Sequence, residues 1–269
     1  MIFVIATVVC FALLDISRKI ISKDFSSPNV TFFMVLVMSL GYSVNALPEF
    51  VREGITGRGL SLGIVSGLFG MIANLSFVTA LRYGPISILT PLLGFSAIVT
   101  VSLDYLILSE ALSRNQLLGL VSVIVGSALL IRAGWIEKAP TKSLVLGLVA
   151  ASGWGVQTFL DPIGISEIGL HRWGAILAFS IFVPLIFFVR GFSFNLKLLI
   201  PGVFLFLASF AQLKSLEFVS SGVLESIKRG TILPLAMIIG AVIFKEAVSL
   251  RKAIAVSVML VGGVTVSLA

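Results

Sequence analysis

Hydrophobic and polar positions along this chain fall into long apolar blocks separated by short connections. Ten helices are expected, at about 1–21, 30–47, 60–81, 86–108, 115–131, 143–160, 173–189, 198–213, 221–244 and 252–269. At 1.5 Å rise per residue, each is long enough, or nearly so, to cross a hydrocarbon core of about 30 Å. The connections are marked by Pro, Gly and charge, as in "ALPEFVREGITGRG" (46–59), "RYGP" (82–85) and "RAGWIEKAPTK" (132–142). None has the length or polarity of an extramembrane domain. The pattern predicts one all-α integral membrane domain.

The pattern also repeats. Moving the second half back by 136 residues sets Glu110-Ala-Leu-Ser113 on Glu246-Ala-Val-Ser249 without a gap, and Gly126 on Gly262. A one-residue slip upstream brings "ALRYGPIS" (80–87) onto "SLEFVSSG" (215–222). Residues 1–134 and 143–269 then form two repeats of five spans. An odd number of spans places matching loops on opposite membrane faces, so the repeats are inverted. Inverted repeats build secondary transporters, with the site at the repeat interface.

Composition narrows the class. The chain is 58% hydrophobic and 12% charged, against about 25% charged in soluble domains, which excludes a single soluble core. Basic residues exceed acidic ones, 19 to 12, but they lie singly between apolar blocks and act as topology signals, giving no basis for binding nucleic acid. Loops after odd-numbered spans, from Arg18 to Lys252, carry twelve Lys and Arg, and those after even-numbered spans, from Arg52 to Lys214, carry five. This bias puts the odd loops in the cytoplasm and both termini outside. The single cysteine, Cys10, forms no internal disulfide. With no basic n-region and no small-residue cleavage site, Met1–Leu14 is expected to be a retained span, not a signal peptide.

Catalytic signatures are missing from the sequence: no H-E-x-x-H, no Cys/His cluster, no G-x-S-x-G and no phosphate-cradling glycine loop with lysine. No enzyme, metal site or cofactor is expected, and any transport must run on gradients or exchange. A channel would present rings of charge or a filter loop, and neither is visible. A receptor or channel is therefore the weaker alternative to a carrier.

The segments "LSEALSRNQLLGLVSVIVGSALL" (108–130) and "FKEAVSLRKAIAVSVMLVGGVTVSL" (244–268) resemble the repeat signature of the drug/metabolite transporter (DMT) superfamily. There, each EamA-type half ends in a helix, an E-x-x-S turn and a small-residue closing helix. The resemblance implies a ten-helix, five-plus-five carrier of small metabolites. It names no single solute, since the superfamily's substrates range widely. One departure is that the fourth span has no proline matching Pro234; its Pro91 lies earlier. The two halves are expected to bend differently.

Charge within the ninth span supplies the candidate site. Gly230–Phe244 is fifteen residues, or about 22 Å of helix, too short to cross alone, so the span must start near Ser221 and draw Glu225, Lys228 and Arg229 inward. Their i,i+3 and i,i+4 spacing offers a local salt bridge. One acid facing two bases leaves a positive surplus, which favours an anionic solute, phosphorylated or carboxylated. The alternative is a snorkelling cluster at a helix end. The Lys-Arg pair also resembles that of the triose-phosphate/nucleotide-sugar translocator branch, where the bases meet phosphate. Gly230 and Pro234 are the candidate gating or kink residues, because proline frees the carbonyl of residue 230.

Asp15 is the candidate proton carrier, with an interfacial pair to Arg18 or Lys19 as the alternative. Asn74, Gln157 and Gln212 are candidate cavity-lining residues, Asn74 and Gln212 on the matched third and eighth spans. Asp104, His171, Arg172 and Trp173 read as interfacial. Glu110 and Glu246 read as helix-end residues. The glycines of the fifth and tenth spans, Gly126 and Gly262–Gly263, would suit close packing and a homodimer. Partners are then a small-molecule solute and the bilayer of the cell membrane. A runner-up function is export of amino acids or of multiple drugs and cations.

Overall fold

The computed structural model describes residues 2–109, 113–136, 139–189, 191 and 194–267. Glu110 lies outside this set, as does the side chain of Pro234. The helices are α1 (Ile2–Ile21), α2 (Ser27–Glu53), α3 (Gly57–Tyr83), α4 (Ile86–Leu92), α5 (Phe95–Leu108), α6 (Arg114–Ile136), α7 (Thr141–Ile168), α8 (Leu170–Leu185), α9 (Leu199–Ser215), α10 (Ser221–Val242) and α11 (Leu250–Ser267). No strand occurs among the described residues.

Taking α4 and α5 as one segment and joining the short 3-10 turn Leu196–Leu198 to α9, six segments are long and apolar enough to cross a membrane. Of the other expected spans, α1 is interrupted by Asp15, Arg18 and Lys19, and α10 by Glu225, Lys228 and Arg229. The α8 helix is apolar but only 16 residues long.

Two expected boundaries move past a proline. The α2 helix continues through Pro48 to Glu53, and α7 through Pro162 to Ile168, where the sequence suggests ends at 47 and 160. Proline ends most helices because it removes a donor and crowds the preceding turn. Within a packed apolar bundle the freed carbonyl finds other partners and the helix persists. The second shift moves Asp161 from an expected loop into a buried position within α7. At Pro91 the outcome is a break: α4 ends, Leu93 N–H donates to Thr90 O, Gly94 N–H donates to Pro91 O, and α5 starts at Phe95. The α10 helix runs unbroken past position 234.

Helix neighbours follow a pattern. The α3 helix packs on α7 and α1 on α9; α2 packs on α8, α6 on α11, and α4 with α5 on α10. Counting α4–α5 as the fourth of ten helical segments, exchanging each segment with the one five places on leaves these pairings unchanged. Small residues allow the closest approaches. A methyl on Gly63 would stand 2.6 Å from Ile176 Cγ2, and one on Gly262 2.6 Å from Gly119 O. Within one chain Gly262 thus faces Gly119 of α6, Gly126 faces Met259 of α11, and Gly263 faces Gly230 of α10.

One end of the bundle is tied across the two halves. Glu246 Oε1 and Oε2 accept from Ile86 N–H at 2.8 Å and Ser87 N–H at 2.9 Å, capping α4. Lys252 Nζ reaches Ser87 Oγ at 3.4 Å and Ala247 O at 2.7 Å. Beside them Lys19 Nζ donates to Leu81 O and Gly84 O. Glu246 is therefore a helix-end residue, as expected, but the helix it caps belongs to the other half.

Candidate functional site

The α10 helix starts at Ser221, which puts Glu225, Lys228 and Arg229 in its second and third turns, all buried. Glu225 takes both bases. Its Oε2 meets Lys228 Nζ, and its Oε1 accepts from Arg229 Nε at 2.8 Å. Ser96, at the start of α5 just past the break, packs its hydroxyl against Glu225 and accepts from Arg229 Nε at 3.1 Å. The broken fourth span thus holds the α10 cluster in place. Lys228 also donates to Gln212 Oε1 at 2.7 Å and sits over the Phe11 ring, 4.8 Å from its centroid.

A second cluster forms around α1. Arg18 NH1 lies 3.4 Å from Asp15 Oδ1, and Arg18 NH2 donates to Asn74 Oδ1 at 2.6 Å. The guanidinium also lies over Phe77 and Trp154. Thr90 Oγ1 donates to Asp15 Oδ2 at 3.4 Å, again from the broken span. Arg18 is 1% exposed, so its pairing with Asp15 is internal to the protein.

Between the clusters lies a cavity of about 40 Å³, lined by Asp15, Arg18, Asn74, Gln157, Gln212, Lys228 and Arg229, together with Asp161 and apolar residues. That volume holds a few water molecules at about 10–15 Å³ each. The sequence-derived candidates Asp15, Asn74, Gln157, Gln212, Lys228 and Arg229 therefore converge on it, with Glu225 bound to the two bases, while Gly230 is not part of its lining. Gly230 faces Gly263 of α11, whose Cα is 3.8 Å from where a methyl would stand. Gln157 Oε1 and Arg18 Nε are buried without a hydrogen-bond partner among the described residues, an acceptor and a donor left at the cavity wall.

Two residues escaped the sequence reading. Asp161 is 1% exposed. Its Oδ1 accepts from Trp173 Nε1 at 3.0 Å and its Oδ2 from Gln212 Nε2 at 3.2 Å. Trp173, expected at the membrane interface, is fully buried, and its indole holds this carboxylate. The missed signal was the carboxylate itself, set beside Pro162 in an otherwise apolar run and so read as a helix end. Asp104 is also buried in the protein, accepting from Ser221 Oγ at 3.0 and 3.2 Å. Arg172 keeps its surface role, bonding Glu53 and, at 3.0 Å, Gly54 O.

A bundle with six membrane-length apolar segments around a buried, charged cavity defines a multi-pass membrane protein. Comparison with known proteins agrees. Residues 1–132 match the model of the EamA-like transporter family. Across 253 residues, 90% of this chain and 88% of the relative, the chain is 25% identical to an uncharacterised transporter of Archaeoglobus fulgidus. A 71-residue stretch, 26% of this chain and 52% of the relative, is 37% identical to an uncharacterised protein of Methanocaldococcus jannaschii. One solved crystal structure superposes over 99% of this chain and 96% of its own, with a TM-score of 0.64 at 16% identity, so it shares the fold.

Proposed function

We propose that this protein is an EamA-type secondary carrier of the DMT superfamily, built as two inverted five-span repeats, that moves a small polar solute through the central cavity by alternating access. The observation that carries the reading is the cavity itself: charged groups from spans of both halves line one buried space, and both fourth-span equivalents, α4–α5 and α10, border it. The neighbour pattern, unchanged when spans five apart are exchanged, supports the inverted repeat. Match to a transporter family and likeness to a transporter along nearly the whole chain favour carriage over catalysis.

In this reading Lys228 and Arg229 receive an anionic group of the solute, and Glu225 holds them when the cavity is empty. Arg229 supplies a planar fork and Lys228 a mobile point charge. Lys228→Gln or Arg229→Gln in proteoliposomes should abolish uptake of a phosphorylated or carboxylated solute while the protein stays folded in detergent. Unchanged uptake in both variants would overturn the assignment.

A second reading is favoured by the charge inventory. Asp15, Asp161 and Glu225 match Arg18, Lys228 and Arg229 in number, so Asp161 offsets the positive surplus that points to a pure anion once it is ionised beside a bound cationic group. A solute bearing both signs, as an amino acid does, fits that balance. The cell membrane is the proposed location, with both termini outside by the charge bias of the loops.

A further inference from the structure

The cavity's three carboxylates are not alike. Asp15 has Arg18 at 3.4 Å, and Glu225 has Lys228 and Arg229. Asp161 has only neutral donors, the Trp173 indole and the Gln212 amide, and no cation within ion-pair distance among the described residues. Titratable and charged groups face it from α10 and α2. From α10 come Lys228, which is engaged by Glu225 and separated from Asp161 by the Gln212 amide, and Glu225 itself. From α2 comes the Tyr42 hydroxyl, which is hydrogen-bonded with Ser209 at 3.0 Å.

An ionised carboxylate has about four acceptor positions, and Asp161 fills two of them from neutral groups. Leaving such a charge buried without a counter-ion is costly, and groups in this position neutralise instead. Asp161 is one of the residues that line the cavity. The span that carries it has a counterpart. Asp15 lies on the first span of one half with Asn74 on the third, and Asp161 lies on the first span of the other half with Gln212 on the third. In the α1 half a permanent cation, Arg18, sits between acid and amide. In the α7 half the amide touches the acid directly, and no described side chain takes the cation's position beside the acid.

We propose that Asp161, and not Asp15, is the coupling carboxylate, and that it is a subsite for a cationic group of the solute. In the empty cavity its carboxyl is neutral, carrying one proton. When an ammonium group enters beside it, the O–H bond breaks, the proton leaves to the solution on the side then open, and the ammonium forms the ion pair in its place. One positive charge enters the subsite for each that leaves. Gln212 is the positioning residue, since its amide holds Asp161 through Nε2 and Lys228 through Oε1 and so keeps the acid and the base apart. This rests on the carrier reading for its purpose, but the chemistry at Asp161 is testable without transport.

The test is infrared difference spectroscopy of the purified protein, with methylammonium as the probe. A band of a buried protonated carboxyl should be present in the wild type and in Asp15→Asn and lost in Asp161→Asn. Adding methylammonium should bleach that band and release protons to an indicator dye, in the wild type and not in Asp161→Asn. Should Asp161→Asn fail to fold, Trp173→Phe serves instead: removal of the indole donor should shift the same band without removing it. A band that survives Asp161→Asn, one that Trp173→Phe leaves in place unshifted, or one that disappears in Asp15→Asn overturns the assignment. Absence of the band in the wild type does so too. Band loss with no uptake of any solute in liposomes would instead defeat the carrier reading and leave the protonation of Asp161 standing.

Discussion

Glu225 holds two cations on one carboxylate inside the protein, so its removal strands both. Glu225→Gln should be the most destabilising single change in the cavity, costing about 3–5 kcal/mol, the range for breaking a buried pair. Thermal unfolding in detergent should show a larger drop for Glu225→Gln than for Lys228→Met or Arg229→Gln, each of which leaves Glu225 one partner. An equal or smaller drop would mean that the bases reach other acceptors when Glu225 is lost. Sequence alone revealed this cluster, because three charges within five positions interrupt an apolar run, and charge inside a membrane span is too costly to persist without a role. Asp161 was hidden for an equally physical reason. An Asp-Pro pair most often ends a helix, and only the packing of α7 against α3 and α5 shows that this helix continues.

Among the helices, two glycines separate packing from permissiveness. A methyl on Gly126 would meet Met259 and stand 2.9 Å from Ala255 O, a backbone atom that cannot swing aside. Gly126→Ala should cost about 1–3 kcal/mol, the usual range for overpacking. A methyl on Gly230 has 3.8 Å to its nearest neighbour, and Gly230→Ala should leave the unfolding midpoint within error of the wild type. A drop for Gly230→Ala as large as for Gly126→Ala would contradict this contact geometry. Glu246 belongs at this scale too. Hydrogen bonds to a charged group contribute about 1.5–3 kcal/mol, so Glu246→Ala should expose the first amides of α4 and speed their hydrogen exchange, at Ile86 and Ser87 above all. Exchange rates equal to the wild type would show that the cap is replaced. The repeat in the sequence pointed to this turn as a helix end; that it caps a helix in the opposite half follows only from the tertiary arrangement.

Across the whole molecule, the helical class, the short connections and the convergence of Asp15, Asn74, Gln157, Gln212, Lys228 and Arg229 on one cavity were legible in the apolar pattern and its interruptions. Helix ends at Pro48, Pro162 and Pro91 were not, because the same residue is bridged in two helices and breaks the third according to what surrounds it. The loop charges make a further statement about the whole chain. Alkaline phosphatase fused after Ala269 should be active and green fluorescent protein at the same position dark, if both termini lie outside; the reverse result would invert the topology and exchange the faces to which the Glu246 end and the α2–α3 end belong.

The central claim is that solute moves through the buried cavity by alternating access, and counterflow measures it most directly. Proteoliposomes preloaded with a panel of unlabelled phosphorylated sugars, organic acids, amino acids and lipophilic cations should take up the matching labelled solute transiently above equilibrium. That uptake should saturate with concentration and be lost in Lys228→Gln and Arg229→Gln. Flux that rises linearly without saturation, or no counterflow for any class while the protein is folded in the liposomes, would contradict the account.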